Sequence, residues 1–433
     1  MLSGALAKWF DEADIEDTVM VGGKGASLGE MYQKLSGIGV KVPNGFTLTT
    51  EAFREFVNAE IPESTWDNVG NPEGIEDVRR RAIACSTLSS ALEVCLRDAD
   101  TSDHLGLNGR ASLARSLVRE TPVPESVKRA IGAEYSKLCD MYYPGVDVAV
   151  RSSATTEDSA EASFAGQYES YLNVSGESEI VEKWRRCVAS MFTERSVGYH
   201  LENDMHPLDS SIAVVVMKMA RSDKACSGVM FTIDPDSGHD GVIHIGSSYG
   251  LGELVVQGVV SPDTYTIWKE GLRMGKFPIV YRTLGGKEQM MVYNEESTNE
   301  VHTIQVSIDE RKKWSLSKDE CVSLAEMGLK IEDYFGMPMD IEWAKDGISN
   351  ELFIVQARPE TIHSKSSESK MMLYKIDEKL TSKLKKDGRV IAEGQAVGTR
   401  VGTGMVRLYR TYSEVVQGRR ELQGLIDTGL SPE

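Results

Sequence analysis

Polar and apolar residues alternate in two stretches of the C-terminal third, Asp340-Ile341-Glu342-Trp343 and Ile354-Val355-Gln356-Ala357-Arg358-Pro359. A period of two predicts strands, with Asp340 and Glu342 on one face of the first and Gln356 and Arg358 on one face of the second. Helical spacing marks Leu28, Met31, Tyr32 and Leu35, which fall at i, i+3, i+4 and i+7. It also predicts a helix over 180–199 through Ile180, Trp184, Cys187, Val188, Met191 and Phe192, and one over 319–335 through Val322, Leu324, Ala325, Leu329, Ile331 and Tyr334. Residues 49–137 read as mostly helical and polar. Val146, Val148 and Val150 alternate into a strand expected to end in the segment Arg151 to Asp158. Two apolar runs of strand length, Ile212 to Met219 and Ser227 to Thr232, flank a polar Arg221-Ser222-Asp223-Lys224 turn and read as a buried hairpin.

Several of these segments carry candidate chemistry, each with a plainer alternative. Carboxylate, amide and guanidinium on two facing strands suit a divalent cation and a polyphosphate, because hard oxygens take Mg²⁺ and a guanidinium fork binds phosphate. They equally suit a hairpin salt bridge. Gly22-Gly23-Lys24-Gly25 before a helix is an anion site or a glycine turn with a solvated lysine, and it lacks the spacing of a P-loop. The small and hydroxylated run from Ala160 to Gln167 is a mobile cover over phosphates or a surface loop with serine turns. Closely spaced glycines in Tyr249-Gly250-Leu251-Gly252-Glu253 do not make a dinucleotide fingerprint.

Composition narrows the partners. The chain has 433 residues, enough for two or three domains. Its 66 acidic and 48 basic residues give a formal charge of -18, which repels nucleic acid and anionic membranes, so an anionic ligand must be held by local basic groups and a metal. The six cysteines are scattered singly, as free thiols of a reducing compartment are. The first residues do not read as a signal peptide, and the apolar run Ile212 to Met217 is too short to cross a bilayer. A soluble, cytoplasmic protein is expected. His363 to Lys370 has the small, polar character of a linker, and Val390 to Arg410 reads as the short strands of another domain.

Taken in order, Val21-Gly22-Gly23-Lys24, Val42-Pro43-Asn44-Gly45-Phe46, Val150-Arg151-Ser152-Ser153-Ala154, Ser163-Phe164-Ala165-Gly166-Gln167, Gly228-Val229-Met230-Phe231, Gly250-Leu251-Gly252-Glu253 and the two alternating strands resemble the ATP-binding region of the phosphoenolpyruvate synthase family. Pyruvate, phosphate dikinase and rifampicin phosphotransferase are wider kin. The resemblance implies an α+β, two-lobed ATP-grasp fold followed by a truncated swivelling phosphohistidine domain. The expected boundaries are 1–210 for the first lobe, 211–362 for the second, 363–385 for a linker and 386–433 for the incomplete swivelling domain, whose residues should be poorly ordered or borrow strand partners.

The resemblance also implies roles. Lys24 and Arg151 would contact the ATP phosphates, Glu342 and Gln356 would hold Mg²⁺ with Asp340 in support, and Arg358 would stabilise the transferring phosphoryl group. The hinge segment Val216, Met217, Lys218 and Met219 would read adenine through its backbone, relatives often having glutamine at the position of Met217. In the family the β-phosphoryl group of ATP passes to a histidine on the swivelling domain and then to pyruvate on a barrel domain. That carrier histidine follows a glycine-glycine and threonine run, which none of the seven histidines here does. The implied partners are therefore ATP and carrier-histidine and pyruvate-binding barrel domains outside this chain. Nucleic acid and membrane are not expected as partners, and a homodimer is allowed. Two rival readings are a non-catalytic nucleotide-sensing or assembly module and a phosphotransferase for another acceptor such as a rifamycin.

Overall fold

A computed structural model describes residues 5–155, 168–294, 301–361 and 378–389. The chain divides into two compact units, Met1–Met371 and Met372–Glu433. In the second, the described residues form the helix Glu378–Lys386 and the turn after it.

The first unit is α+β and holds two antiparallel sheets. Strands β1 (Ala7–Trp9), β2 (Gly45–Leu48), β3 (Val148–Ala154), β4 (Ser170–Val174) and β5 (Ile212–Lys218) make a five-stranded sheet in the order β1-β2-β5-β3-β4. Helices Thr50–Val57, Leu88–Leu96, His104–Glu120, Glu125–Met141 and Glu177–Ala189 contribute to a core that includes Phe46, Phe56, Leu92, Leu117, Trp184 and Val214. Strands β6 (Cys226–Phe231), β7 (Val242–Tyr249), β8 (Asp263–Trp268) and β9 (Ile279–Thr283) continue outward in sequence order. A separate ribbon pairs β10 (Gln289–Tyr293) with β11 (Val301–Gln305). Strands β12 (Met339–Lys345) and β13 (Leu352–Pro359) then complete a six-stranded sheet ordered β13-β12-β6-β7-β8-β9.

A second core joins the two sheets. Phe10, Leu28, Met31 and Leu35 pack with Val215 and Met217 of β5 and with Met230, Ile341 and Ile354 of the second sheet. The helix Thr18–Leu35 is tied to β13 by the Ser27 hydroxyl, which donates to Ala357 O at 2.7 Å. Behind the second sheet lies the helix Lys318–Phe335, started by a reciprocal Ser317–Glu320 cap and stopped by Gly336 at φ 69°.

Three expectations need correction. The apolar runs at 212 and 227 do not form a hairpin: β5 lies between β2 and β3, and β6 lies between β12 and β7. Val214 and Val216 enter the first core while Val215 and Met217 enter the second, so β5 is buried on both faces. Such a strand is a continuous apolar run that does not name its partner. The lobe boundary proposed at 210/211 directly precedes β5, the last strand in sequence of the five-stranded sheet. The helix expected over 180–199 is interrupted: it stops at Ala189, passes through a 3₁₀ turn at Ser190–Phe192, and resumes as Glu194–Glu202 with Thr193 accepting from Ser196 N at 3.2 Å. Strand β3 ends at Ala154, within the segment 151–158 where its end is expected. Tyr334 faces outward, 43% exposed, with its hydroxyl on Glu30.

The expected linker 363–385 contains most of the helix Glu378–Lys386. The small-residue run from 160 to 167, the polar segment 363–370 and nearly all of 386–433 lie outside the described residues.

Candidate active site

Strands β12 and β13 are antiparallel neighbours, with Asp340 directly opposite Arg358 and Glu342 opposite Gln356. The alternation read in the sequence therefore brings four polar side chains to one face of the hairpin, with a bulge after Glu342. Arg358 donates from Nε and Nη2 to Asp340 Oδ2, at 2.9 and 2.7 Å. The salt bridge is present, but it accounts for only half of the set.

The other half is completed from the opposite sheet. Arg151 of β3 donates from Nη2 to Glu342 Oε2 at 2.7 Å and to Gln356 Oε1 at 2.9 Å, and from Nη1 to Val355 O at 3.2 Å. Its side chain is 13% exposed and that of Glu342 is 24%. Burial pushes the Glu342 carboxyl up, but the charge and hydrogen bond of Arg151, with the charges of Lys24 and Arg358, outweigh it and leave the group below its ordinary value.

Lys24, 8% exposed, sits on a sharp kink in the helix Thr18–Leu35, where Gly22 adopts φ 71°. A β-carbon at Gly22 would lie 1.9 Å from Ser153 O, so the loop approaches β3 more closely than any other residue allows. Ala149, Arg151 and Ser153 occupy alternate positions of β3 and share one face. Ala149 packs with Met219, Leu251 and Tyr293, so along this face an apolar cluster is followed by a guanidinium and then by the lysine loop.

The hinge residues divide. Val216 and Met217 are buried in the two cores. Lys218 N donates to Asn44 O and Met219 N to Asp147 O, both at 2.9 Å, and Met219 belongs to the apolar cluster beside Arg151. The Lys218 ammonium donates to Met219 O at 3.2 Å and lies 5.3 Å from the centre of the Tyr142 ring.

Two residues at this site had no role in the sequence reading. Glu253 opens the short helix Glu253–Val256; burial raises its carboxyl, with Arg151 pulling the other way, which places it in the field of the guanidinium. Ser153 is the second. Its position two residues beyond Arg151 was the available signal, since period two puts both on one face.

Glu342, Gln356 and Asp340 offer the hard oxygens that Mg²⁺ prefers. Among the described residues no three His, Cys, Asp or Glu gather as a self-sufficient metal site. An ion here would complete its shell with nucleotide oxygens and water, as Mg²⁺ commonly does. No helix of the described residues is long and apolar enough to cross a membrane.

The family model for the pyruvate phosphate dikinase AMP/ATP-binding domain matches residues 18–378. Phosphoenolpyruvate synthases from Synechocystis sp. and Aquifex aeolicus are each 40% identical to this chain over 96% of its length, which covers 48% and 46% of those proteins. The Escherichia coli phosphoenolpyruvate synthase is 37% identical over 95% of the chain and 48% of its own length. The chain thus spans about half the length of the curated relatives it matches. With the match extending over most of the described residues, this chain belongs to the pyruvate phosphate dikinase AMP/ATP-binding domain family.

Proposed function

We propose that this chain is the ATP-binding, phosphoryl-donating part of a phosphoenolpyruvate synthase, with an ATP-grasp arrangement in which the nucleotide lies between the two sheets. The observation that carries the reading is the meeting of Arg151 from one sheet with Glu342 and Gln356 from the other. Adenine would rest at the apolar end, near Met219, Leu251 and Ala149, with backbone groups of Val216 to Met219 reading its edge. The phosphates would extend along β3 toward Arg151 and Lys24.

Phosphoryl transfer needs alignment and charge neutralisation more than covalent participation by the protein. Arg151 and Lys24 supply positive charge from the first lobe. Arg358, held by Asp340, supplies it from the second and is aimed at the transferring group. Glu342 and Gln356, with Asp340 in support, would hold Mg²⁺, which when bound neutralises phosphate charge and orients the chain of phosphates. In the overall reaction ATP, pyruvate and water give AMP, phosphoenolpyruvate and phosphate. The β-phosphoryl group passes first to a histidine that is not among the seven of this sequence.

Calorimetry of the chain with ATP, with and without Mg²⁺, followed by AMP release once a carrier-histidine domain is supplied, tests the proposal. Metal-dependent binding and AMP release, both abolished by Glu342→Ala and Arg358→Ala, are expected. ATP binding with no AMP release in the presence of an intact carrier would favour a nucleotide sensor instead.

A further inference from the structure

We propose that Ser153 is a positioning residue that locks the Lys24 loop to the strand carrying Arg151, so that the two phosphate-binding cations are set by one hydroxyl. The inference rests on the ATP-binding reading and adds a residue to it.

Kinking a helix frees backbone groups on either side of the break, and a buried break must satisfy them. At the kink in Thr18–Leu35 the carbonyl of Val21 and the amide of Gly25 are the groups that meet Ser153. Its Oγ donates to Val21 O at 2.8 Å and accepts from Gly25 N at 3.0 Å. Ser153 is fully buried. No water is needed for this clip, and both bonds span the loop that presents Lys24. Gly22 lies against the same serine, where a β-carbon would meet both Ser153 O and its hydroxyl. Arg151, two residues back on the same face, is thereby placed at a set distance from Lys24. The charge of Lys24 is felt at Glu342, the same carboxylate that Arg151 contacts.

Ser152 is the matched control. It is nearly as buried, but it lies on the other face of β3, the face of Val150 and Ala154 in the first core. If the clip serves phosphate binding, Ser153→Ala, which removes both of its hydrogen bonds, weakens binding of Mg·ATP by about tenfold. Adenosine, which has no phosphates, binds as before, and Ser152→Ala leaves both affinities unchanged. Equal losses for ATP and adenosine, equal losses for the two serine variants, or full ATP affinity in Ser153→Ala would overturn the proposal.

Amide hydrogen exchange of the wild-type chain guards against a variant that does not fold. The Gly25 amide should exchange slowly although it stands at a helix break. Rapid exchange there, with the following helix protected, would remove the clip. If the wild-type chain binds neither ATP nor adenosine, the ATP reading falls by itself, and the exchange measurement still decides whether Ser153 holds the loop.

Discussion

Arg151 and Glu342 come from different sheets and meet at 2.7 Å, and the same guanidinium nitrogen reaches Gln356 at 2.9 Å. A cation would use the two oxygens that this arginine now holds. Replacing Arg151 with glutamine should therefore have opposite effects on two ligands. Mn²⁺ alone, followed by its paramagnetic signal, should bind more tightly to the variant than to the wild type, while Mg·ATP should bind at least about tenfold more weakly for want of a charge-assisted phosphate contact. Weaker Mn²⁺ binding in the variant would show that Arg151 supports the metal instead of competing with it.

Glu342 gives a pH dependence with a definite sign. Its folded-state value lies below the ordinary one, because Arg151, Lys24 and Arg358 outweigh burial. The stabilisation is complete above the unfolded value of about 4.3 and disappears as pH falls through the depressed native value. The stability difference between wild type and Glu342→Gln, from urea unfolding, should be constant near neutrality and shrink on the acid side. A difference that grows on acidification would contradict the pairing.

Glu253 behaves in the opposite sense, since burial raises its carboxyl. Keeping it ionised costs stability above the ordinary carboxylate range. Glu253→Gln should raise the unfolding midpoint at neutral pH and lose that advantage as pH falls through the raised native value, with none left below the unfolded value of about 4.3. No gain at neutral pH would mean that Arg151 fully offsets the burial.

Gly22→Ala tests the kink. A left-handed φ and a β-carbon 1.9 Å from Ser153 O should together cost more than about 2 kcal/mol. Denaturant unfolding measures the cost, and a loss under about 0.5 kcal/mol, the scale of an ordinary surface change, would show that the loop relaxes freely.

Lys287 and Asp263 form an ion pair in which both side chains are fully buried, and Asp263 also accepts from Gly285 N and Ser315 N at 2.8 Å each. Removing the lysine strands a carboxylate, so Lys287→Met should cost about 3–5 kcal/mol. The double variant with Asp263→Asn should lose less than the two single losses added together. Additive losses would show that the pair is not coupled.

Local periodicity carried the β12–β13 hairpin, the faces of its four polar residues, the helix Lys318–Phe335 and the helix that follows the Lys24 loop. Each has one apolar face, and a single apolar face leaves a period of two or 3.6 in the chain. The resemblance to a known family then linked Lys24 and Arg151 to that hairpin. The place of β5 between β2 and β3 and the reach of Arg151 across to Glu342 were set by contacts between residues far apart in sequence. A strand buried on both faces has no period to read, and a side chain that crosses between sheets satisfies partners that only packing brings near. The pattern of residues says which way a side chain points from its own element; what it points at depends on how the elements pack.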